Sequence, residues 1–236
     1  MSKFYVVATP IGNMGDITLR AIETLLSVDL ILCEDTRETK KILDKYGINK
    51  PTMSYHAQSK LAKVDKIFEL LEEGKDLALV SDAGTPGISD PGAMLVSKIK
   101  ERFQERFLKE PSQEPFFEVQ VIPIPGASAV IAALSASGLP THEFTFLGFL
   151  PHKKGRETLF KEIRDAKRTF AFYESPHRIL KTLESLVKFC PNKKVCIARE
   201  LTKIYEEFKT GSPTEVLEYF NKNGDKQRGE FTVIVA

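Results

Sequence analysis

The sequence predicts an α/β protein built from two α/β domains, the second with a mixed sheet. Two observations carry that expectation. Apolar runs of strand length alternate with segments whose apolar residues recur at helical spacing, and the runs are continuous, as in strands buried on both faces of a mostly parallel sheet. Late in the chain, apolar runs at 195–199 and 204–209 follow each other with no long helix between them. That spacing points to an antiparallel hairpin, and hence a mixed sheet.

In order, residues 4–8 read as a strand, and Leu19, Ile22, Leu25 and Leu26 as a helix face. Residues 30–33 read as a second strand. Leu61, Val64, Ile67, Phe68 and Leu71 mark a helix that Gly74 stops, and 77–80 form a third strand. Residues 101–118 are charged, hold two prolines and read as an exposed insertion or linker. Strands follow at 119–124, 144–149, 169–173 and 231–235, with helices at 128–137, 156–166 and 178–188. The expected domains are 1–122 and 123–236, with no internal repeat.

At 236 residues, 42% hydrophobic and 28% charged, the composition excludes a disordered or collagen-like chain. A net charge of +2 excludes nucleic-acid binding through bulk charge alone, but leaves room for a local basic patch. Cys33, Cys190 and Cys196 are odd in number and form no CxxC pair, so neither a disulfide framework nor a zinc site is expected. That cysteine usage suggests a reducing cytoplasm; the N-terminal apolar run is too short for a signal peptide and no run suits a membrane helix.

The strongest local feature is SDAGTPGISDPG, 81–92, directly after a predicted buried strand. In open α/β sheets ligands bind at the strands' carboxyl ends; glycine lets backbone approach a ligand and proline stiffens the loop beforehand. The competing reading is a purely structural turn. ATPIGNMGD at 8–16 and PIPGASA at 123–129 also follow strands. Three rigid loops rich in small residues suggest a flat ligand held by backbone groups in a cleft between the halves. No GxGxxG opens a helix, and GxxxxGK[ST] and GxSxG are absent. The four histidines show no ligand spacing, so no metal is expected.

FYESPHR at 172–178 and ARELTKIYEE at 198–207 bring polar groups after apolar runs, as does the cluster from Glu34 to Arg37. These groups read either as substrate-orienting residues or as paired charges at sheet ends. Residues 153–168 hold seven basic residues against three acidic ones, so they read as a phosphate contact or as a solvated helix face.

VATPIGNMGDITLRA, SDAGTPGISDPG, PIPGASAVIAALSASGLP, FYESPHR, ARELTKIYEE and GEFTVIV together resemble the tetrapyrrole methylase superfamily. Within it they resemble the small-subunit ribosomal RNA methyltransferases, from Phe4 to Val235. The resemblance implies S-adenosylmethionine-dependent 2′-O-methylation of a cytidine ribose in the decoding region of bacterial 16S rRNA. It also implies a homodimer and a cofactor cleft between two domains. Carried over by position, the cofactor contacts are Pro10 and Ile11, then Ala83, Gly84, Thr85 and Ile88, then Ser128 and Ala129. Tyr173, Glu174, Leu201, Phe231 and Thr232 complete them. Thr85 stands where many members have an aspartate, 101–118 is longer than the usual turn, and many members carry a further C-terminal segment.

For such a transfer the protein must place the 2′-hydroxyl in line with the methyl carbon and help remove its proton. The catalytic candidates are Glu34, Asp35, Arg37, Asp82 and Glu200, and the RNA-binding candidates Lys153, Lys154 and Arg156. The partner is 16S rRNA in the small subunit, with no DNA and no membrane. A second reading keeps the cofactor but takes a tetrapyrrole or a protein side chain. A third is a non-catalytic RNA-binding module.

Overall fold

The structure is a computed structural model and describes residues 1–56, 61–90, 92–105 and 118–236. It divides into two compact units, Met1–Ser128 and Ala129–Ala236, where the sequence suggested 122/123.

The first unit holds β1 (Ser2–Val7), β2 (Leu30–Cys33), β3 (Thr52–Ser54), β4 (Leu77–Leu79) and β5 (Val119–Ile124) in one parallel sheet, ordered β3-β2-β4-β1-β5. Its helices are α1 (Leu19–Ser27), α2 (Thr36–Lys45), α3 (Leu61–Glu72) and α4 (Gly92–Ile99). Alternate strand residues feed two cores. Phe4, Leu32, Leu77 and Leu79 pack with Ile67 of α3 and Leu95 of α4. Val7, Ile31, Ala78 and Val80 pack with Leu25 of α1 and Leu43 of α2. A sheet covered on both faces favours apolar residues on consecutive positions, which is why β2, β4 and the latter part of β1 read as unbroken runs. Thr18 and Asp35 start α1 and α2 as side-chain caps, accepting from the Ala21 and Arg37 amides.

The expected linker at 101–118 needs correcting at its start. Lys100–Glu105 continues from α4 as a π-type turn, and Phe103 is buried against the ring of Phe68. Arg102 lies over Phe68 and bonds Glu72 at 2.7 Å. Residues 106–117 lie outside the described residues.

The second unit holds β6 (Phe144–Phe149), β7 (Thr169–Glu174), β8 (Val195–Arg199), β9 (Glu207–Gly211) and β10 (Phe231–Val235). They are ordered β6-β7-β10-β8-β9, with β6 and β7 parallel and the other pairs antiparallel. Its helices are α5 (Ala129–Ala136), α6 (Arg156–Asp165), α7 (Ile179–Phe189) and α8 (Pro213–Lys222). Phe160 of α6, Leu183 of α7 and Phe220 of α8 pack with Phe170, Phe172 and Val233. α5 lies against β7 and β10.

The hairpin forms, but its second strand begins at Glu207 rather than 204. Ile204 and Tyr205 sit exposed in the connecting turn, whose Glu200 and Thr202 adopt positive φ. Apolar character alone misplaced them. α2, α4, α8 and β3 were not anticipated. The serine before Pro213 and the glutamate two residues after it form a full capping box, a signal present in the sequence but unread.

Phe172 is fully buried in this second core. Phe172→Ala is expected to lower stability by about 3–5 kcal/mol, read as a reduced urea midpoint at unchanged slope.

Candidate functional site

Three loops leave the carboxyl edge of the parallel sheet, after β1, β4 and β5, and they interlock. Thr9 and Gly84 exchange backbone hydrogen bonds, the Thr9 amide donating to the Gly84 carbonyl at 2.9 Å and the Gly84 amide to the Thr9 carbonyl at 3.1 Å. The Thr9 hydroxyl donates to the Ser81 carbonyl at 3.1 Å. The Thr85 hydroxyl donates to the Ala127 carbonyl at 3.0 Å and so ties the second loop to the third.

Gly84 has φ +83°, and a Cβ there would lie 3.3 Å from the Ile11 side chain. At Gly126 a Cβ would lie 2.8 Å from that of Ala8, closer than real Cβ atoms approach. The glycines are therefore required by the loops' approach to one another. Asp90 accepts from the Gly87 and Gly92 amides, both at 2.7 Å, and closes the second loop onto the start of α4. Pro10 is buried, Thr85 and Ser128 are half-buried, and Ala83 and Ile88 are exposed.

Four catalytic candidates gather at the same edge. Asp82 accepts the Asp35 amide at 3.0 Å, joining the ends of β4 and β2. Asp35 binds Arg37 at 2.6 Å, and that guanidinium holds its carboxyl down to about 2. Glu34 differs from both. It is half-buried, and its carboxyl makes no hydrogen bond or ion pair with another described residue. Burial, then the charges of Asp90 and Asp82, push that carboxyl above the ordinary glutamate value.

The fifth candidate, Glu200, belongs to the second unit. Its carboxylate accepts the Glu230 amide at 3.0 Å and the Lys203 ammonium at 3.1 Å. Burial opposes its ionisation, but these bonds outweigh burial and hold its pKa low. The arrangement makes Glu200 a brace of the positive-φ turn.

Cofactor candidates of the second unit also meet. Thr232 pairs with Tyr173 and Phe231 with Glu174 across β7 and β10. The Tyr173 hydroxyl accepts the Val130 amide at 3.2 Å, beside Ala129 at the start of α5. The Tyr173 ring meets Phe146 and Phe149 edge-on. Leu201 is buried in the braced turn.

The basic stretch resolves into two kinds of residue. On α6, Lys161 pairs with Glu157 and Arg164 with Asp165; beyond it, Arg168 pairs with Glu162. Arg156 turns inward, with its side chain 15% exposed, and pairs with the buried Glu174. Lys153 and Lys154 are exposed, with no ion pair among the described residues. Sequence reasoning missed Thr182 and Asp90 as organising groups and did not see that Arg178 binds Glu174. Only the 174/178 spacing signalled any of this. Among the described residues no cluster of His, Cys, Asp and Glu suits a metal, and no helix is long and apolar enough to cross a membrane.

Gly126→Val is expected to lower stability by about 1–3 kcal/mol, because the added carbons meet backbone-fixed Ala8. Gly224→Ala, placed in open space, is expected to leave the thermal midpoint unchanged.

Residues 3–216 match the family model "Tetrapyrrole (Corrin/Porphyrin) Methylases". The chain is 44% identical over 238 residues to a Synechocystis protein named ribosomal RNA small subunit methyltransferase I, covering 100% of this chain and 79% of that one. It is 42% identical to the Thermotoga maritima protein of the same name, covering 100% of this chain and 99% of that one. Among solved structures, the methyltransferase CobJ superposes with TM-score 0.65 at 21% identity, covering 100% of this chain and 93% of that one. A uroporphyrin-III-C-methyltransferase from Thermus thermophilus gives TM-score 0.64 at 16% identity, covering 99% and 94%. These two share the fold. Taken together with the interlocked loops, the family match and the full-length relatives establish that the chain belongs to the tetrapyrrole methylases.

Proposed function

We propose that the chain methylates the ribose 2′-hydroxyl of a cytidine in the decoding region of 16S rRNA, with S-adenosylmethionine as donor. The observation that carries this reading is the full-length likeness to small-subunit ribosomal RNA methyltransferases, on a chain whose three loops present small residues at one sheet edge. Those loops fit such a donor. Ala83 and Ser128 offer backbone and short side chains beside Gly84, which has no side chain to block them, and Ile88 offers an apolar surface 45% exposed. Thr85 ties the second loop to the third and Ile11 lies beside Gly84; the family resemblance adds Pro10 in the first unit and assigns Ala129, Tyr173, Glu174, Leu201, Phe231 and Thr232 to the second.

S-adenosylmethionine, when bound, supplies an electrophilic methyl on a sulfonium. The chain's own task is to place the ribose and take its proton. Glu34 is the best base among the five candidates, because Asp35, Asp82 and Glu200 already spend their carboxylates on an arginine, a backbone amide or a turn. A base with a raised pKa is better matched to a weakly acidic hydroxyl. Asp35 and Arg37 steady the start of α2 beside it, and Asp82 ties that start to β4. Exposed Lys153 and Lys154 suit phosphate contacts. The protein acts in the cytoplasm as a homodimer on the small ribosomal subunit.

Incubation with small ribosomal subunits and labelled S-adenosylmethionine is expected to give one methylated cytidine, located by mass mapping of nuclease fragments. Label on a tetrapyrrole or on protein, with none on RNA, would move the chain to another substrate. Calorimetry showing no donor binding would make it a non-catalytic RNA module.

Glu34→Gln is expected to slow single-turnover methylation roughly 10²–10⁴-fold with donor affinity kept. In the native protein the rate falls as the pH drops through the raised Glu34 pKa and the base protonates; the variant loses that limb. The same substitution is expected to raise the neutral-pH thermal midpoint. An acid whose folded pKa lies above its unfolded one destabilises the fold at pH values above both, and that cost fades as pH falls. Equal midpoints at neutral pH would contradict the assignment.

A further inference from the structure

The side chain of Glu174 is 0% exposed, at the end of β7. One oxygen accepts the Ser175 amide at 2.9 Å and pairs with Arg178 at 2.7 Å. The other accepts the Thr182 hydroxyl at 2.6 Å and lies 3.5 Å from Arg156. Arg156 also donates to that hydroxyl at 2.5 Å. A buried carboxylate this fully satisfied is a rigid anchor.

Both guanidiniums reach onward to adjacent carbonyls. Arg178 donates to Leu150 at 3.0 Å and Arg156 to Pro151 at 3.2 Å. The next residues are His152, Lys153, Lys154 and Gly155, and then Arg156 itself opens α6. Both ends of a four-residue segment are thus fixed to one carboxylate. The segment's two lysines point to no acidic partner among the described residues, whereas three basic residues on or just after α6 have one. We propose that Glu174, Arg156, Arg178 and Thr182 form a clamp of positioning residues that holds Lys153 and Lys154 ready to meet RNA phosphates. The proposal rests on the RNA reading above and moves Arg156 from phosphate contact to clamp. A loop held before binding loses less freedom when the RNA arrives, so each lysine contributes more affinity.

The test uses the full chain, small ribosomal subunits and filter binding across a salt series. Lys153→Glu with Lys154→Glu is expected to weaken RNA binding at least about tenfold and to flatten the salt slope by roughly one unit per lysine. Arg178→Gln, and more mildly Thr182→Val, are expected to weaken RNA binding, with folding checked by the thermal midpoint. In the Arg178→Gln background the lysine substitutions are expected to lose most of their further effect, a coupling that a merely structural role would not produce. Arg178→Lys is expected to restore part of the affinity. Fully additive losses in a folded Arg178→Gln protein, or in Thr182→Val if the former fails to fold, would overturn the clamp. An unchanged salt series for the lysine variant would overturn the RNA contact and the clamp with it, while methyl transfer to RNA stands or falls separately in the mapping experiment.

Discussion

The mutual hydrogen bonds of Thr9 and Gly84 set the geometry of the first unit. They hold the loop after β1 against the loop after β4, so the third loop can approach only where its own chain has no side chain. Ala8 occupies the space a Cβ at Gly126 would need, and the Ala127 carbonyl is fixed by the Thr85 hydroxyl. The result is a sheet edge shaped by backbone, with its polar groups matched in advance. Preorganised backbone of this kind suits a ligand that must be oriented rather than enveloped.

Acidic groups are handled differently in the two units. At the parallel sheet's edge, Asp35, Asp82 and Asp90 are consumed by caps and amides, whereas Glu34 is destabilised as a charge by burial and by its acidic neighbours. In the second unit Glu174 is buried more deeply but meets two arginines and a threonine, so its charge is an anchor. The same residue type thus stands without a bond among the described residues in one unit and as a structural anchor in the other, according to whether bonds accompany burial.

Much of this was legible in the sequence. Continuous apolar runs announced a sheet covered on both faces, and the glycine-proline strings announced loops at strand ends. The absence of a long helix between 199 and 207 announced the hairpin. What escaped had physical causes. α2 carries mostly charged residues, and β3 is only three residues long, too short for any period to show. Ile204 and Tyr205 look like strand but sit at a turn forced by the left-handed Glu200 and Thr202. Charge counting made Arg156 a phosphate contact. Its inward turn depends on Glu174 and Thr182, which lie far along the chain but adjacent in space, and no local pattern reports that.

The position of β1 bears on how the chain comes off the ribosome. β1 lies between β4 and β5, so Ser2 faces Val119 and Phe4 faces Leu77. β1 waits unpaired until β4 and β5 have followed it, a separation that slows folding and leaves sticky edges uncovered meanwhile. Gly126 and Ala127 emerge later still, immediately after β5. The second sheet draws all five of its strands from residues beyond 143 and carries no such debt to the N-terminus. Nascent-chain vulnerability is therefore concentrated in the half that carries the glycine-proline loops.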